Sequence, residues 1–435
     1  MLSIIKIQSP FSRKKITIPK YEIYRILVYL QKIAMKKNFL ILISLAAGTS
    51  ICAQSVSVNS YFSDIKRVGE EPIEFINKAL DTQDLIVFDD ALHSAYEPFV
   101  FYNQLINSKS LARKINYIFL EVISTTAQPL IDSFLNSKTA DSNILTKAFQ
   151  DDYTGMGWTY RTYLDLFNTV WVHNQQLPDS LKIKIIGVNP PIYWEAIHTW
   201  KDYTIFQSSL KSRDYFMYLE ILENMKAFKK NRKGLFFCNT RHAYKNIKNS
   251  KGELYWNTTT FFNQLNPGKV FSIRIHNVTL SLEETKKIPA TKRKSTDGLN
   301  ETVYKWIKMD SGRWDDAFAL NSNKQIALPF KNTSFGRTPY VGNHMLDVAK
   351  GTTMADAYDA LIFLAPLTDL HFSAQFNYIY NQQFKPELER RLRLLKGDEY
   401  DNYLKENNAS DFEEFYKNHF DYTPISKNSF VIEKK

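Results

Sequence analysis

The sequence predicts an α/β fold with a mostly parallel central sheet, helices on both faces and a C-terminal helical tail. Six short runs of aliphatic, β-branched and aromatic residues have the length and polar boundaries of buried strands. The first two runs are about thirty residues apart with a helical pattern between them, which is the spacing of a right-handed βαβ unit. The runs cover residues 85–88, 115–120, 183–188, 234–238, 269–275 and 358–364.

Helices are predicted between these strands. An amphipathic pattern over 65–80 precedes the first strand, an apolar helix over 160–174 precedes the third, and a long helix over 210–230 precedes the fourth. The two prolines at 190–191 cannot continue a strand ladder, so they end the third strand in a turn. Residues 277–350 have no clear period, and no element is assigned there.

The N-terminal region has the pattern of a secretory signal peptide. Met35 is followed by two lysines, an apolar stretch over 39–47 and small residues up to Ala53, which correspond to the three parts of such a signal. The apolar stretch is too short for a membrane span. We expect translation to start at Met35, residues 1–34 to be a mis-assigned extension, and cleavage after Ala53 to give a secreted or periplasmic protein. A genuine long signal or an amphipathic anchor in 1–34 is the alternative.

The chain has only two cysteines. Lipoprotein anchoring through Cys52 is not expected, because the bulky Ile51 stands where such signals have a small residue. Cleavage after Ala53 leaves Cys238 alone, which excludes an internal disulfide and a cysteine metal site. A large apolar core must therefore provide the stability.

The net charge is concentrated at the N-terminus. Residues 1–53 carry +8 of the formal +11, which leaves +3 on the rest of the chain. A nucleic-acid partner is therefore not expected, and the basic stretch over 286–294 is interpreted as a solvated loop. The rest is predicted to be one α/β domain over 54–384, followed by a charged helical tail over 385–435.

Polar side chains that follow the predicted strands are the candidate site residues. The carboxyl ends of parallel strands meet at one edge of a sheet, so these residues should converge. Imidazoles and carboxylates together could activate water by general base catalysis or bind a divalent metal. The residues are, in chain order, Asp90, His93, Glu121, Arg241, His242 and His276. A histidine in the position of His276 is more often a structural residue. If a metal ion is present, we expect His93, Glu121 and His242 to hold it.

Several enzyme classes receive no support. The sequence has no HExxH, P-loop, GxSxG or GxGxxG motif. Zincins, P-loop NTPases, the usual serine hydrolases and dinucleotide enzymes are therefore not predicted.

Four segments, taken in order, carry a resemblance. They are LIVFDDALH, IFLE, YLDLFNTVWVHNQQLPDSLKIKIIGVN and LFFCNTRHAY, which begin at residues 85, 118, 163 and 235. Their order resembles that of the erythromycin esterase-like family and its wider relatives, the ChaN-like and Tiki-type haem-binding-uptake superfamily. Those proteins have one strand ending in Gly-Glu-x-x-His, a second ending in Glu, a third ending in Gly-x-Asp and a fourth ending in a His-containing turn. The similarity covers residues 66 to 372.

The resemblance implies roles for individual residues. His93 matches the family's general base, Glu121 its partner acid, His242 its second catalytic histidine and Asp90 the glutamate of the first motif. Two positions depart from the pattern. Asp89-Asp90 replaces Gly-Glu, which shortens one carboxylate arm and adds a negative charge, and Asn189 replaces the usual Asp after the third strand.

The expected function is hydrolysis of an ester or related acyl bond of a small molecule. In this hypothesis His93 takes a proton from water, Asp90 and Glu121 orient its imidazole, and His242 with Arg241 stabilises the developing oxyanion. The relatives also imply alternatives: a haem- or metal-binding protein of envelope uptake, a metal-dependent peptidase, or an inactive member. The sequence assigns no cofactor beyond haem or a divalent metal in those alternatives.

Overall fold

The structure is a computed structural model. It describes residues 56–228, 232–284, 302–342, 347–375, 377–420 and 423–427. The predicted signal peptide and the extension before it lie outside the described residues. The basic stretch over 286–294 lies outside them as well.

The strands confirm the predicted fold class. In chain order they are β1 Leu85–Asp89, β2 Ile115–Ser124, β3 Lys184–Asn189, β4 Lys233–Cys238, β5 Val270–Ile275, β6 Thr279–Glu284, β7 Thr302–Ile307, β8 Ile326–Pro329, β9 Ala360–Phe363, β10 His371–Phe372 and β11 Ser426–Lys427. Seven of them form the central sheet in the order β3-β2-β4-β1-β5-β9-β8. The pairings are parallel except that β8 runs antiparallel to β9. Separate antiparallel pairs are β6 with β7 and β10 with β11.

Helices connect the strands and cover the sheet. They are α1 Val58–Val68, α2 Pro72–Thr82, α3 Glu97–Asn107, α4 Gln128–Asn136, α5 Thr146–Gln150, α6 Arg161–Gln175, α7 Trp200–Ser209, α8 Arg213–Met225, α9 Thr240–Ala243, α10 Thr258–Leu265, α11 Arg313–Leu320, α12 Ser334–Arg337, α13 Met354–Ala357, α14 Lys385–Lys396, α15 Tyr400–Glu406 and α16 Phe412–His419. In the described part of the chain, no helix is long and apolar enough to span a bilayer.

Both faces of the sheet are buried under apolar side chains. On β1, Ile86 and Phe88 belong to one core cluster, whereas Leu85 and Val87 belong to the other. Neighbouring residues of a strand point to opposite faces, so a strand covered on both sides must be apolar at every position. This explains why the strands were recognisable as continuous apolar runs.

Three elements differ from the prediction. The single helix expected over 65–80 is two helices, α1 and α2, because Pro72 starts a new first turn that the Glu71 side chain caps. The helix expected over 210–230 becomes regular only at Arg213, after a short 3-10 turn. The unassigned region 277–350 contains the edge strand β8, whose four residues are too few for a recognisable period.

The C-terminal helices form a small core of their own. Their buried side chains include Leu388, Leu392, Leu404, Phe412 and Phe415. The charged sequence of this region therefore belongs to amphipathic helices whose apolar faces pack together.

Candidate active site

The predicted site residues come from three adjacent strands of the sheet. Asp90 and His93 follow β1, Glu121 lies in the last part of β2, and His242 lies on the short helix α9 directly after β4. Because β4 pairs with both β1 and β2, their carboxyl ends are neighbours. The structure thus brings together four residues that are separated by up to 152 positions in the sequence.

The carboxylate of Glu121 is the centre of the arrangement. Its Oε1 atom lies 3.1 Å from Nε2 of His242 and 3.5 Å from Nε2 of His93. The same oxygen accepts a hydrogen bond from Nη2 of Arg213 at 3.0 Å. Its Oε2 atom accepts one from the backbone N–H of Asn239 at 2.7 Å. One buried carboxylate therefore faces two imidazoles and a guanidinium.

Each of the two histidines has its own aspartate on the other ring nitrogen. Nδ1 of His93 lies 3.0 Å from Oδ2 of Asp90, and Nδ1 of His242 lies 2.6 Å from Oδ1 of Asp214. A carboxylate on Nδ1 fixes the orientation of an imidazole and stabilises its protonated form. We call Asp90, His93, Glu121, Arg213, Asp214 and His242 the Glu121 cluster.

Arg213 and Asp214 are functional candidates that the sequence reasoning missed. They form the first turn of α8, which begins close to the carboxyl edge of the sheet. Besides Glu121, Arg213 contacts Nε2 of His242 at 3.3 Å and donates from Nε to Oδ1 of Asn189 at 2.7 Å. The Asn189 that departs from the family pattern is therefore a direct partner of this arginine.

The electrostatic environment favours protonated imidazoles. Burial alone would lower the pKa of His93, but the charges of Asp90 and Glu121 outweigh it and raise this pKa to about 10. Burial likewise opposes protonation of His242, and the charges of Asp214 and Glu121 raise its pKa to about 9. The neighbouring carboxylates therefore favour the form of each histidine that has a proton on both nitrogens.

The pKa values of the three carboxylates in the cluster are shifted in different directions. Burial would raise the pKa of Glu121, yet the charges of His242, His93 and Arg213 hold it well below its usual value. Burial would also raise the pKa of Asp214, but its neighbours, mainly the charge of His242, lower it. Burial raises the pKa of Asp90 to about 6, although the charge of His93 acts in the opposite direction. Asp90 is therefore the most easily protonated acid of the three.

The cluster does not fit a divalent metal. Each Nε2 is directed at Glu121 and each Nδ1 at an aspartate, while Arg213 places a positive charge beside the carboxylate that a metal would need. Within the described ranges, no group of three or more His, Cys, Asp or Glu side chains is arranged to hold a metal ion. We therefore derive no step of the chemistry from a metal at His93, Glu121 and His242.

Two of the predicted residues lie apart from the cluster. The side chain of Arg241 is exposed, although its neighbour His242 is buried. His276 is buried against Trp314, Phe318 and Phe363, with its Nε2 atom 2.9 Å from Oδ1 of Asp315. This environment agrees with the structural role that is more common for a histidine in such a position.

Comparisons with known proteins give matches at the level of structure. No protein-family model and no curated protein matches the sequence. Among the similar solved structures is a succinoglycan biosynthesis protein, which is 8% identical with a TM-score of 0.47 over 71% of this chain and 97% of the other. Another is a mutant of erythromycin esterase EreC in its open conformation, which is 10% identical with a TM-score of 0.42 over 66% of this chain and 92% of the other.

A third similar structure is ChaN of Campylobacter jejuni with haem bound. It is 19% identical, with a TM-score of 0.27 over 46% of this chain and 85% of the other. The solved structures thus include members of both groups that the sequence motifs resemble. All three TM-scores are below 0.5, so nothing about the chemistry of this chain follows from these likenesses.

Proposed function

We propose that this protein is a hydrolase of an ester or related acyl bond and that the Glu121 cluster is its active site. The observation that carries the proposal is the meeting of two aspartate-backed imidazoles and one guanidinium at a single buried carboxylate. Such a group can move a proton and stabilise negative charge within a few ångströms, which acyl hydrolysis requires. The signal-peptide pattern supports action outside the cytoplasm.

His93 is the better candidate for the general base. Its side chain is 18% exposed, whereas that of His242 is 5% exposed, so His93 is the histidine that water can reach. Asp90 orients it through Nδ1, and Nε2 is the nitrogen that takes the proton from water. Because the pKa of His93 is raised, the base is strong but only a small fraction is neutral at pH 7.

Arg213 is assigned the role that the sequence hypothesis gave to Arg241. A developing oxyanion needs donors that are already in position, and Arg213 and His242 both contact Oε1 of Glu121 and lie 3.3 Å from each other. Arg241 is exposed, and its side chain makes no hydrogen bond or ion pair among the described residues. The proposed oxyanion donors are therefore Arg213 and His242.

The test is turnover of acyl esters and lactones by the purified protein and its His93→Ala variant. We expect a loss of about 10²-fold or more, as is typical when a general base is removed. The matched control is His198→Ala, since His198 is exposed and is not a member of the Glu121 cluster. Unchanged turnover in a folded His93→Ala variant would contradict the proposal.

The same preparation separates the alternatives. A Soret band that appears on haem addition and requires His93, without hydrolysis of any ester, would favour the haem-binding function. Turnover that is abolished by a chelator and restored by a divalent metal would favour the metal-dependent peptidase. A folded protein with neither property would be an inactive member.

A further inference from the structure

The loop between α5 and α6, residues 151–160, supplies two aromatic rings to the candidate active site. The ring of Tyr153 lies against the guanidinium of Arg213, with 4.4 Å between the ring centroid and Cζ. The ring of Trp158 meets His93 edge-on, with 5.0 Å between the centroids. Both a proposed oxyanion donor and the proposed base thus touch this loop.

The loop has a defined shape that depends on its internal hydrogen bonds. The buried carboxylate of Asp152 accepts hydrogen bonds from the backbone N–H groups of Thr154 and Gly157 at 3.1 and 2.9 Å, and from the Thr154 hydroxyl. Gly155 has a φ of +79°, and a Cβ atom there would lie 2.8 Å from Trp194. The loop therefore fits closely against the segment that follows β3.

A buried arginine of the C-terminal helix α14 fastens the start of this loop. The side chain of Arg391 is 0% exposed, and it donates from Nη1 to the backbone oxygen of Gln150 at 2.8 Å. It also donates from Nη2 to Asp151 at 2.7 Å and from Nε to Glu387 at 2.7 Å. Its Cζ atom lies over the ring of Trp194, 4.8 Å from the ring centroid.

We propose that Arg391 is a positioning residue of the active site, which acts by holding the 151–160 loop against His93 and Arg213. The C-terminal helix is then part of the site, although it lies outside the sheet. This inference rests on the proposed function only for its effect on turnover, since the loop contacts exist independently of any substrate.

The chemistry of arginine explains why this residue type is needed. Its planar fork can donate to three acceptors in different directions while its face stacks on an aromatic ring. Lysine offers one small ammonium group, which cannot reach Gln150, Asp151 and Glu387 and cover Trp194 at once. Arg391→Lys keeps the positive charge but removes the planar fork that makes the hydrogen bonds to Gln150, Asp151 and Glu387.

The experiment compares the full-length protein with its Arg391→Lys variant. Without substrate, we expect amide hydrogen exchange over 151–158 to become at least about tenfold faster and the imidazole NMR signals of His93 to shift. With substrate, we expect KM to rise and kcat/KM to fall by about 10²-fold, which is typical when a catalytic group is misplaced by about 1 Å. The matched control is Arg393→Lys, because Arg393 is on the same helix but is largely exposed.

A second variant guards against simple loss of folding. Gly155→Ala pushes the same loop away from Trp194 and from Leu395 of α14 while leaving Arg391 itself unchanged, so it should reproduce the faster exchange and the His93 shift. The inference is overturned if Arg391→Lys folds and leaves both the amide exchange of the loop and the His93 signals unchanged. It is also overturned if Gly155→Ala speeds up the loop exchange without shifting the His93 signals. The expected loop changes in both variants, together with no turnover by the unaltered protein, would contradict the proposed function and leave the inference standing.

Discussion

Asp89 and Asp90 are adjacent in the sequence and both are buried, but they belong to two different networks. Asp89 accepts hydrogen bonds from Nη1 of Arg274 and the hydroxyl of Tyr358 at 2.6 Å each, and from Thr240 at 2.7 Å. Asp90 contacts His93 of the Glu121 cluster, and its Oδ1 atom has no hydrogen-bond partner within the described residues. The first carboxylate is fully paired, whereas the second is only partly paired.

The strand geometry explains the difference. Successive side chains of β1 point to opposite faces of the sheet, so Asp89 follows the side of Leu85 and Val87 and Asp90 turns toward the other side. The extra negative charge that departs from the Gly-Glu pattern is therefore neutralised by Arg274 within the fold. Asp89 makes no hydrogen bond to His93, although its charge contributes to the raised pKa of Asp90.

The largest effect that tests this comparison is expected on stability. Asp89→Asn leaves the buried Arg274 without its counter-charge, so the free energy of unfolding should fall by about 3 kcal/mol or more. Asp90→Asn removes a carboxylate whose burial is already unfavourable, and the free energy of unfolding should change by about 1 kcal/mol or less. Chemical denaturation of the two isosteric variants measures both, and an equal loss would contradict the division into two networks.

The next effect concerns the pH dependence of turnover. His93 must lose a proton to act as a base, and its pKa is raised to about 10, so kcat/KM should rise about tenfold per pH unit between about pH 6 and about pH 9. Asp90→Asn removes one of the charges that raise this pKa, so the rise should move to lower pH. Asp89→Asn should leave the profile where it is, and a flat profile in the unaltered protein would contradict His93 as the base.

A smaller effect is expected at Asn189. Asn189→Asp adds a negative charge beside Arg213, which favours the protonated imidazoles of the cluster. The pH profile of kcat/KM should then shift upward by about one unit, with a loss of up to about tenfold at neutral pH. Asn189→Ala adds no charge, so its profile should keep the original midpoint; an Asp variant that moves to lower pH would refute this account.

Much of the fold was predictable because its strands are buried on both faces. The apolar runs at 85–88 and 234–238 needed no partner to be recognised, and they occur as β1 and β4. The edge strand β8 was missed because its four residues have no local period, and beyond β9 it is paired only through an isolated bridge between Ala327 and Glu70. Its position is set by its pairing with β9, and no local sequence pattern reveals that pairing.

Only part of the candidate site was predictable. Asp90, His93, Glu121 and His242 follow or lie near strand ends, so the rule that ligand sites form at the carboxyl ends of parallel strands selected them. The same rule selected Arg241, which is exposed. Arg213 and Asp214 were missed because they lie in a charged stretch that also contains Lys211, at the start of a long helix. The sequence offered one signal for them. Their helix belongs to the connection from β3 to β4, which begins at the carboxyl edge of the sheet, where the site lies.

His93 and His242 share the carboxylate of Glu121, and imidazole NMR titration of the protein and its Glu121→Gln variant tests this arrangement. We expect both histidines to be protonated at neutral pH in the unaltered protein, since both pKa values are raised. In Glu121→Gln both should titrate at lower pH, because each loses the same negative charge. A shift of only one histidine, or titration of both near an ordinary value in the unaltered protein, would contradict the account.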